Sequence, residues 1–315
     1  MNLRLDLHRQ RASHQSTLIS VVINITLSIL QLVVGVFAQS TALIADAFHS
    51  LSDLISDGVV LVVNKHSHAP ADAEHPYGHH RFETAASIFI GALLLSVGGG
   101  MIWAGFSKLQ SPELISRVHY LALVVALVAL IAKELLFRYL MAVAKRVKST
   151  MLAANAWHAR SDAASSVVVA MGIIANLAGF PMADPLAALI VGAIILRMGW
   201  SFFFNSFHDL LDRSVDDETC LRISALLLET PGVLGFHDLR TREMGDKIWV
   251  EVDLEMDGTL PIAKGHAIAA DAKRRVMAGE NVLDVMSHFD PVSPDSTIVT
   301  TPERPSIRKP DTRLP

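Results

Sequence analysis

Apolar and polar positions fall into two regimes along the chain. Apolar windows recur at 17–38, 42–63, 84–106, 119–140, 153–178 and 185–207. Each holds about 20 residues or more, the length an α-helix needs to cross a hydrocarbon core of roughly 30 Å. The pattern predicts six membrane-spanning helices. After residue 207 charged residues are interspersed throughout, and the periods become those of a soluble fold. Residues 216–229 suit an amphipathic helix closed by Pro231 and Gly232, and "FHDLRTRE" and "KIWVEVDLEM" alternate like two strands around the turn "MGD". Residues 261–277 suit a second helix and "NVLDVMSHF" a third strand, giving the order α-β-β-α-β. Pro, Ser, Thr and Arg dominate 293–315, which is expected to be a disordered tail. The expected organisation is a transmembrane domain over 1–208, a soluble domain over 209–292 and that tail.

Composition agrees with the pattern. The 315 residues are 51% hydrophobic and 18% charged, with a mean hydropathy of +0.39, values ordinary for a polytopic membrane protein and unusual for a soluble enzyme. A formal net charge of −4 and no basic run apart from a few clustered Lys and Arg beside apolar segments leave no footprint for nucleic acid. The single cysteine, Cys220, excludes an intramolecular disulfide framework, so any metal must be held by His and carboxylate.

The distribution of basic residues sets an orientation. Arg4, Arg9 and Arg11 precede the first window, Lys65 and Arg81 lie in the second connection, and Lys145, Arg146 and Lys148 lie in the fourth. The connections "AQS" and "GFPMAD" have none, and the third has only Lys108 and Arg117. The positive-inside rule then puts both termini and the even-numbered connections in the cytoplasm. The first window runs on past signal-peptide length without an obvious cleavage site and reads as a retained span.

Against this apolar background, "ADAFHSLSD" stands out, because residues 17–45 before it carry no charge. His49 and Asp53 are four residues apart, on one helical face about 6 Å apart along the axis. The fifth window repeats the device in "WHARSD" with His158 and Asp162. Two such pairs supply two imidazoles and two carboxylates, the ligand set of a tetrahedral divalent site, and charge at membrane depth usually faces a pathway or a partner. Asp46 has a helix-end or pathway role, or a place near the ligand shell. Asp57 is an interhelical hydrogen-bond group or a charge on the way to the cytoplasm. The second connection, "HAPADAEHPYGHHRFE", concentrates Asp72, His75, His79 and His80, as a ligand cluster or a solvated loop, and its Arg81 and Glu83 read as interfacial anchors or salt-bridge partners.

The motifs "HSLSD", "DAEHPYGHHRFE", "HARSD", "LLDR", "GFHDLRTR" and "SHFDP", in this order and spacing, resemble the cation diffusion facilitator (cation efflux) family, and most nearly its bacterial ferrous-iron and zinc efflux branch. The resemblance implies six spans, a homodimer, a cytoplasmic ferredoxin-like domain, and exchange of a divalent metal for protons. Carried over by position, it implies a transport site of His49, Asp53, His158 and Asp162 and a loop site of Asp72, His75 and His79. It further implies a cytoplasmic site of His237, Asp253, His266, His288 and Asp290, and a charge lock of Arg81 with Asp212. His49 stands where well-studied bacterial relatives have Asp, as in zinc-preferring branches, which favours Zn2+ over Fe2+, Mn2+, Cd2+, Co2+ or Ni2+ as cargo. Asp253 stands where close relatives have His.

The expected function is therefore a metal/proton antiporter of a bacterial inner membrane, with metal, protons, the lipid bilayer and a second copy of the chain as partners and no catalytic cofactor. Two other readings use the same residues. An intramembrane metallohydrolase would need an open metal position, which four protein ligands do not leave. A sensor or scaffold would bind metal without moving it.

Overall fold

In the computed structural model, residues 2–111, 117–147 and 150–292 are described; the tail expected over 293–315 lies outside them. Six long helices come first among the described residues: α1 (Asn2–Phe37), α2 (Thr41–Ser67), α3 (Arg81–Gln110), α4 (Tyr120–Val147), α5 (Thr150–Leu177) and α6 (Ala183–Leu210). Each contains one of the predicted apolar windows or nearly all of it, and α1 begins well before its window. Leu18–Phe37 and the helices of Arg81–Gln110, Tyr120–Arg146 and Ala183–Leu210 are long and apolar enough to cross a membrane. Helices α2 and α5 have comparable lengths, 27 and 28 residues, and they are the two that carry the His/Asp pairs.

The chain divides into two compact units, residues up to Leu61 with Phe89–Phe203, and Val62–Ile88 with Phe204 onward. The first is a helical unit whose core includes Leu43, Leu94, Val125, Ile173, Val191 and Ile195, all under one-tenth exposed. Its large apolar side chains also line the outside: Phe37, Trp103, Ile131 and Met171 are more than half exposed, as a lipid-facing surface requires. Small residues set the α3/α6 packing. Gly91, Gly98 and Gly105 recur every seven residues along α3, and a Cβ at Gly98 would sit 2.7 Å from the Leu196 backbone nitrogen. Such spacing lets two backbones approach more closely than side chains would allow.

The α2 N-terminus is held from a distance. Asp184, at the start of α6, accepts a hydrogen bond from the Ser40 hydroxyl at 2.5 Å and from the Thr41 backbone N–H at 2.7 Å. A carboxylate there satisfies an orphan helix donor and complements the dipole. The helix that bears His49 and Asp53 is thereby fixed at its first turn.

The second unit contains α7 (Asp217–Leu228), β1 (Gly235–Met244), β2 (Lys247–Asp257), α8 (Ile262–Gly279) and β3 (Val282–Val292). The elements follow the predicted order, with boundaries moved by a few residues. β1 pairs antiparallel with β2, and β3 lies parallel to β2 on its other side. Ile223 and Leu227 of α7, Ala272 and Val276 of α8, and Val250, Val252 and Leu254 of β2 form the core between helices and sheet. Asp216 caps α7, its carboxylate accepting from the Thr219 N–H. Both bonds from Thr219, first the backbone N–H and then the hydroxyl, hold that carboxyl below the usual carboxylate range.

Candidate functional site

The helical period of α2 puts His49 and Asp53 on one face, and the structure turns that face toward α5. His49 Nδ1 lies 3.4 Å from Asp53 Oδ2, and His49 Nε2 lies 4.0 Å from Asp162 Oδ1 on α5. Ligand atoms of His49, Asp53 and Asp162 all lie within 4.8 Å of one another. His158 stands at the edge of this set, its Nε2 3.9 Å from Asp162 Oδ2 and its side chain half-exposed. Its neighbour Arg160 turns elsewhere and lies over the Phe137 ring of α4 at 4.8 Å. His49 Nδ1 and Asp53 Oδ2 are buried with no hydrogen-bond partner. Buried polar atoms are normally satisfied, and these two, 3.4 Å apart without a hydrogen bond, suit a cation that either could bind.

Beside this cluster lies a polar network that sequence reasoning missed in part. Asp46, fully buried, accepts from Gln31 of α1 at 2.5 Å and from Ser166 of α5 at 2.8 Å. Lys133 of α4, 2% exposed, stands 3.3 Å from Asp46 Oδ1 and donates to Ser166 at 2.8 Å. Ser165 also donates to the Asp162 carbonyl at 2.8 Å, and the Ser166 hydroxyl lies 3.2 Å from the same oxygen. Of the two roles open to Asp46, the structure gives it one beside the cluster, as the centre of a four-helix network. The signal for its partner was Lys133 itself, a cation inside an apolar window.

In the second connection, Asp72 accepts from the backbone N–H groups of Glu74 and His75, at 2.9 and 2.7 Å. These bonds, the His75 one first, lower its carboxyl from the ordinary value. His75 Nδ1 and His79 Nε2 approach the same carboxylate at 3.5 and 3.4 Å, and the three residues form a second set within 4.8 Å. Arg81 pairs with Asp212, whose other oxygen lies 3.7 Å from Arg242.

On the sheet, His237, Asp253 and His288 are register partners across β1, β2 and β3. A bulge between His237 and Arg240, with Asp238 at φ 48°, re-aims the start of β1. His237 Nε2 lies 3.2 Å from Asp290 Oδ2 and 3.9 Å from Asp253 Oδ2, and His288 Nε2 lies 3.2 Å from Asp290 Oδ1. The structure adds two acids that the motifs did not mark. Glu255 is 3.2 Å from His237 Nδ1, and Asp238 joins His237 and Asp253 within 4.8 Å. His266 is exposed on α8 and lies outside these ligand sets among the described residues.

Comparison with known proteins accounts for most of the chain. Residues 17–211 match the cation efflux transmembrane domain and residues 215–292 the cation efflux protein cytoplasmic domain. The chain is 33% identical to Metal tolerance protein 2 of Oryza sativa subsp. japonica, over 90% of this chain and 79% of that protein. It is 34% identical to Magnetosome protein MamB of Paramagnetospirillum magneticum, over 80% and 85% of the respective chains. With the Cation-efflux pump FieF of Shewanella oneidensis the identity is 28%, over 88% of this chain and 94% of the pump. These matches span both the helical region and the sheet domain, so the chain belongs to the cation diffusion facilitator (cation efflux) family of multi-pass membrane transporters, whose members move divalent metals and are not enzymes.

Proposed function

We propose that the chain exports Zn2+ from the cytoplasm in exchange for protons. The observation that carries this reading is the buried set of His49, Asp53 and Asp162, bridging α2 and α5 and bordered by His158. Two imidazoles and two carboxylates make a borderline ligand set suited to Zn2+, and softer or harder metals gain less from it. Metal binding needs neutral imidazole and ionised carboxylate, so a bound cation displaces protons from the same atoms and reprotonation displaces the cation. Rocking of helices between two access states completes a cycle of alternating access.

In this reading all six long helices span the membrane, α2 and α5 being kept in place by the protein around their polar faces. The domains are 1–208 and 209–292, the latter a ferredoxin-like cytoplasmic module that pairs two copies. Both termini face the cytoplasm of a bacterium whose inner membrane holds the protein. Asp72, His75 and His79 form a loop site. His237, Asp253, His288 and Asp290, with His266 contributed after movement of α8 or from a second copy, form the cytoplasmic site. Arg81 and Asp212 lock the membrane-surface end.

Zinc tolerance tests the assignment. Expressed in a zinc-sensitive bacterial host, the wild-type chain restores growth on zinc and His49→Ala does not, at equal membrane abundance. Full tolerance with His49→Ala contradicts the site.

A further inference from the structure

Three potential ligands outside all three of these sets, with His80 beside them, converge where the ends of α2 and α3 meet the β1–β2 turn. Ligand atoms of His68, Glu83 and Asp246 lie within 4.8 Å of one another. His80 Nδ1 lies 3.6 Å from Asp246 Oδ1, and that nitrogen is buried with no hydrogen-bond partner. The His68 and His80 rings stand 6.2 Å apart, edge to face. Ser67 donates to Glu83 Oε1 at 2.8 Å and lies 3.0 Å from His68 Nδ1, so one hydroxyl orients a carboxylate and an imidazole together.

The turn is built to come this close. Gly245 has φ 65°, and a Cβ there would lie 2.6 Å from the His80 carbonyl oxygen and 3.1 Å from Glu83 Oε2. Any side chain at Gly245 would push Asp246 away from the two histidines. The backbone of Asp246 is fixed independently, its carbonyl accepting from Asn281 Nδ2 at 2.5 Å.

We infer that His68, His80, Glu83 and Asp246 form a further divalent-cation site, of the zinc type, that clasps the α2–α3 connection to the β1–β2 turn. The donor set is two imidazoles and two carboxylates, enough for a closed tetrahedral shell, and a closed shell is the mark of a structural site. Ser67 supplies the outer hydrogen bonds that such ligands usually have. The orphaned His80 nitrogen gains a partner when the cation binds. Occupancy joins segments about 160 residues apart in sequence and so makes the order of the connection depend on free metal. The site stands whether or not His49 and Asp162 carry cargo.

The test is Zn2+ stoichiometry of the full-length protein in detergent, by equilibrium dialysis and elemental analysis. Asp246→Asn keeps the turn and its backbone bond, and His80→Gln keeps a polar side chain. Each variant is expected to bind one Zn2+ per chain fewer than wild type, and the double variant also one fewer, because both residues serve one ion. An unchanged count in either variant, or a loss of two in the double, overturns the inference. The wild-type protein supplies a reading without substitution. Diethyl pyrocarbonate is expected to modify the exposed His68 in metal-free protein, and saturating Zn2+ to block it; continued modification overturns the site. Neither result depends on flux, so failure here is distinguishable from failure of the transport reading.

Discussion

Lys133 Nζ lies 3.3 Å from Asp46 Oδ1, a buried ion pair joining α4 to α2 one turn of helix from His49. Lys133→Met leaves the Asp46 carboxylate buried without its countercharge and is expected to destabilise the fold by about 3–5 kcal/mol. Combining it with Asp46→Asn removes the stranded charge and recovers much of the loss. Thermal melts of the detergent-solubilised variants measure this; equal losses in single and double variants contradict the pairing.

The α3/α6 crossing depends on the absence of side chains. Gly98→Val pushes its Cβ into the Leu196 backbone, and overpacking of this kind is expected to cost about 1–3 kcal/mol. Gly99, partly exposed and with nothing within 4 Å of a Cβ, is the internal control: Gly99→Ala should melt no earlier than wild type.

Leu254 is fully buried in the sheet domain's core. Leu254→Ala should destabilise that domain by about 2–5 kcal/mol, read as an earlier transition in denaturant. Asp253, the preceding residue on the same strand, faces the other side of the sheet, so zinc binding by folded protein should be unchanged.

The Asp216 cap makes α7 sensitive to acid. Its carboxyl is depressed below the ordinary carboxylate value in the folded chain. The cap's stabilisation is therefore fully present above that ordinary value and is lost as pH falls through the depressed one. Asp216→Asn still accepts the Thr219 bond but cannot titrate, and its unfolding transition should show a shallower pH dependence in the acid range.

How much of this was legible in sequence follows from what periodicity can report. Apolar windows gave the six long helices, and alternation gave the strand order, because both depend on which side of one element is apolar. The i,i+4 spacing placed His49 with Asp53 on one face for the same reason. Periodicity does not name the neighbour across a gap. Lys133 and Asp46 are 87 residues apart, and Asp246 meets His80 only because Gly245 lets a turn approach. His266 and Glu255 differ in the same way, since the sheet register brings Glu255 to His237 while α8 leaves His266 exposed.

The central claim, that His49, Asp53, His158 and Asp162 carry Zn2+ against protons, is tested most directly by flux. Proteoliposomes with an imposed pH gradient and an internal zinc indicator are compared for wild type and Asp162→Ala, with Fe2+ and Mn2+ in parallel. The account predicts gradient-dependent zinc uptake by wild type and its loss in Asp162→Ala. Zinc that binds but does not cross under any gradient, or undiminished flux in Asp162→Ala, contradicts it.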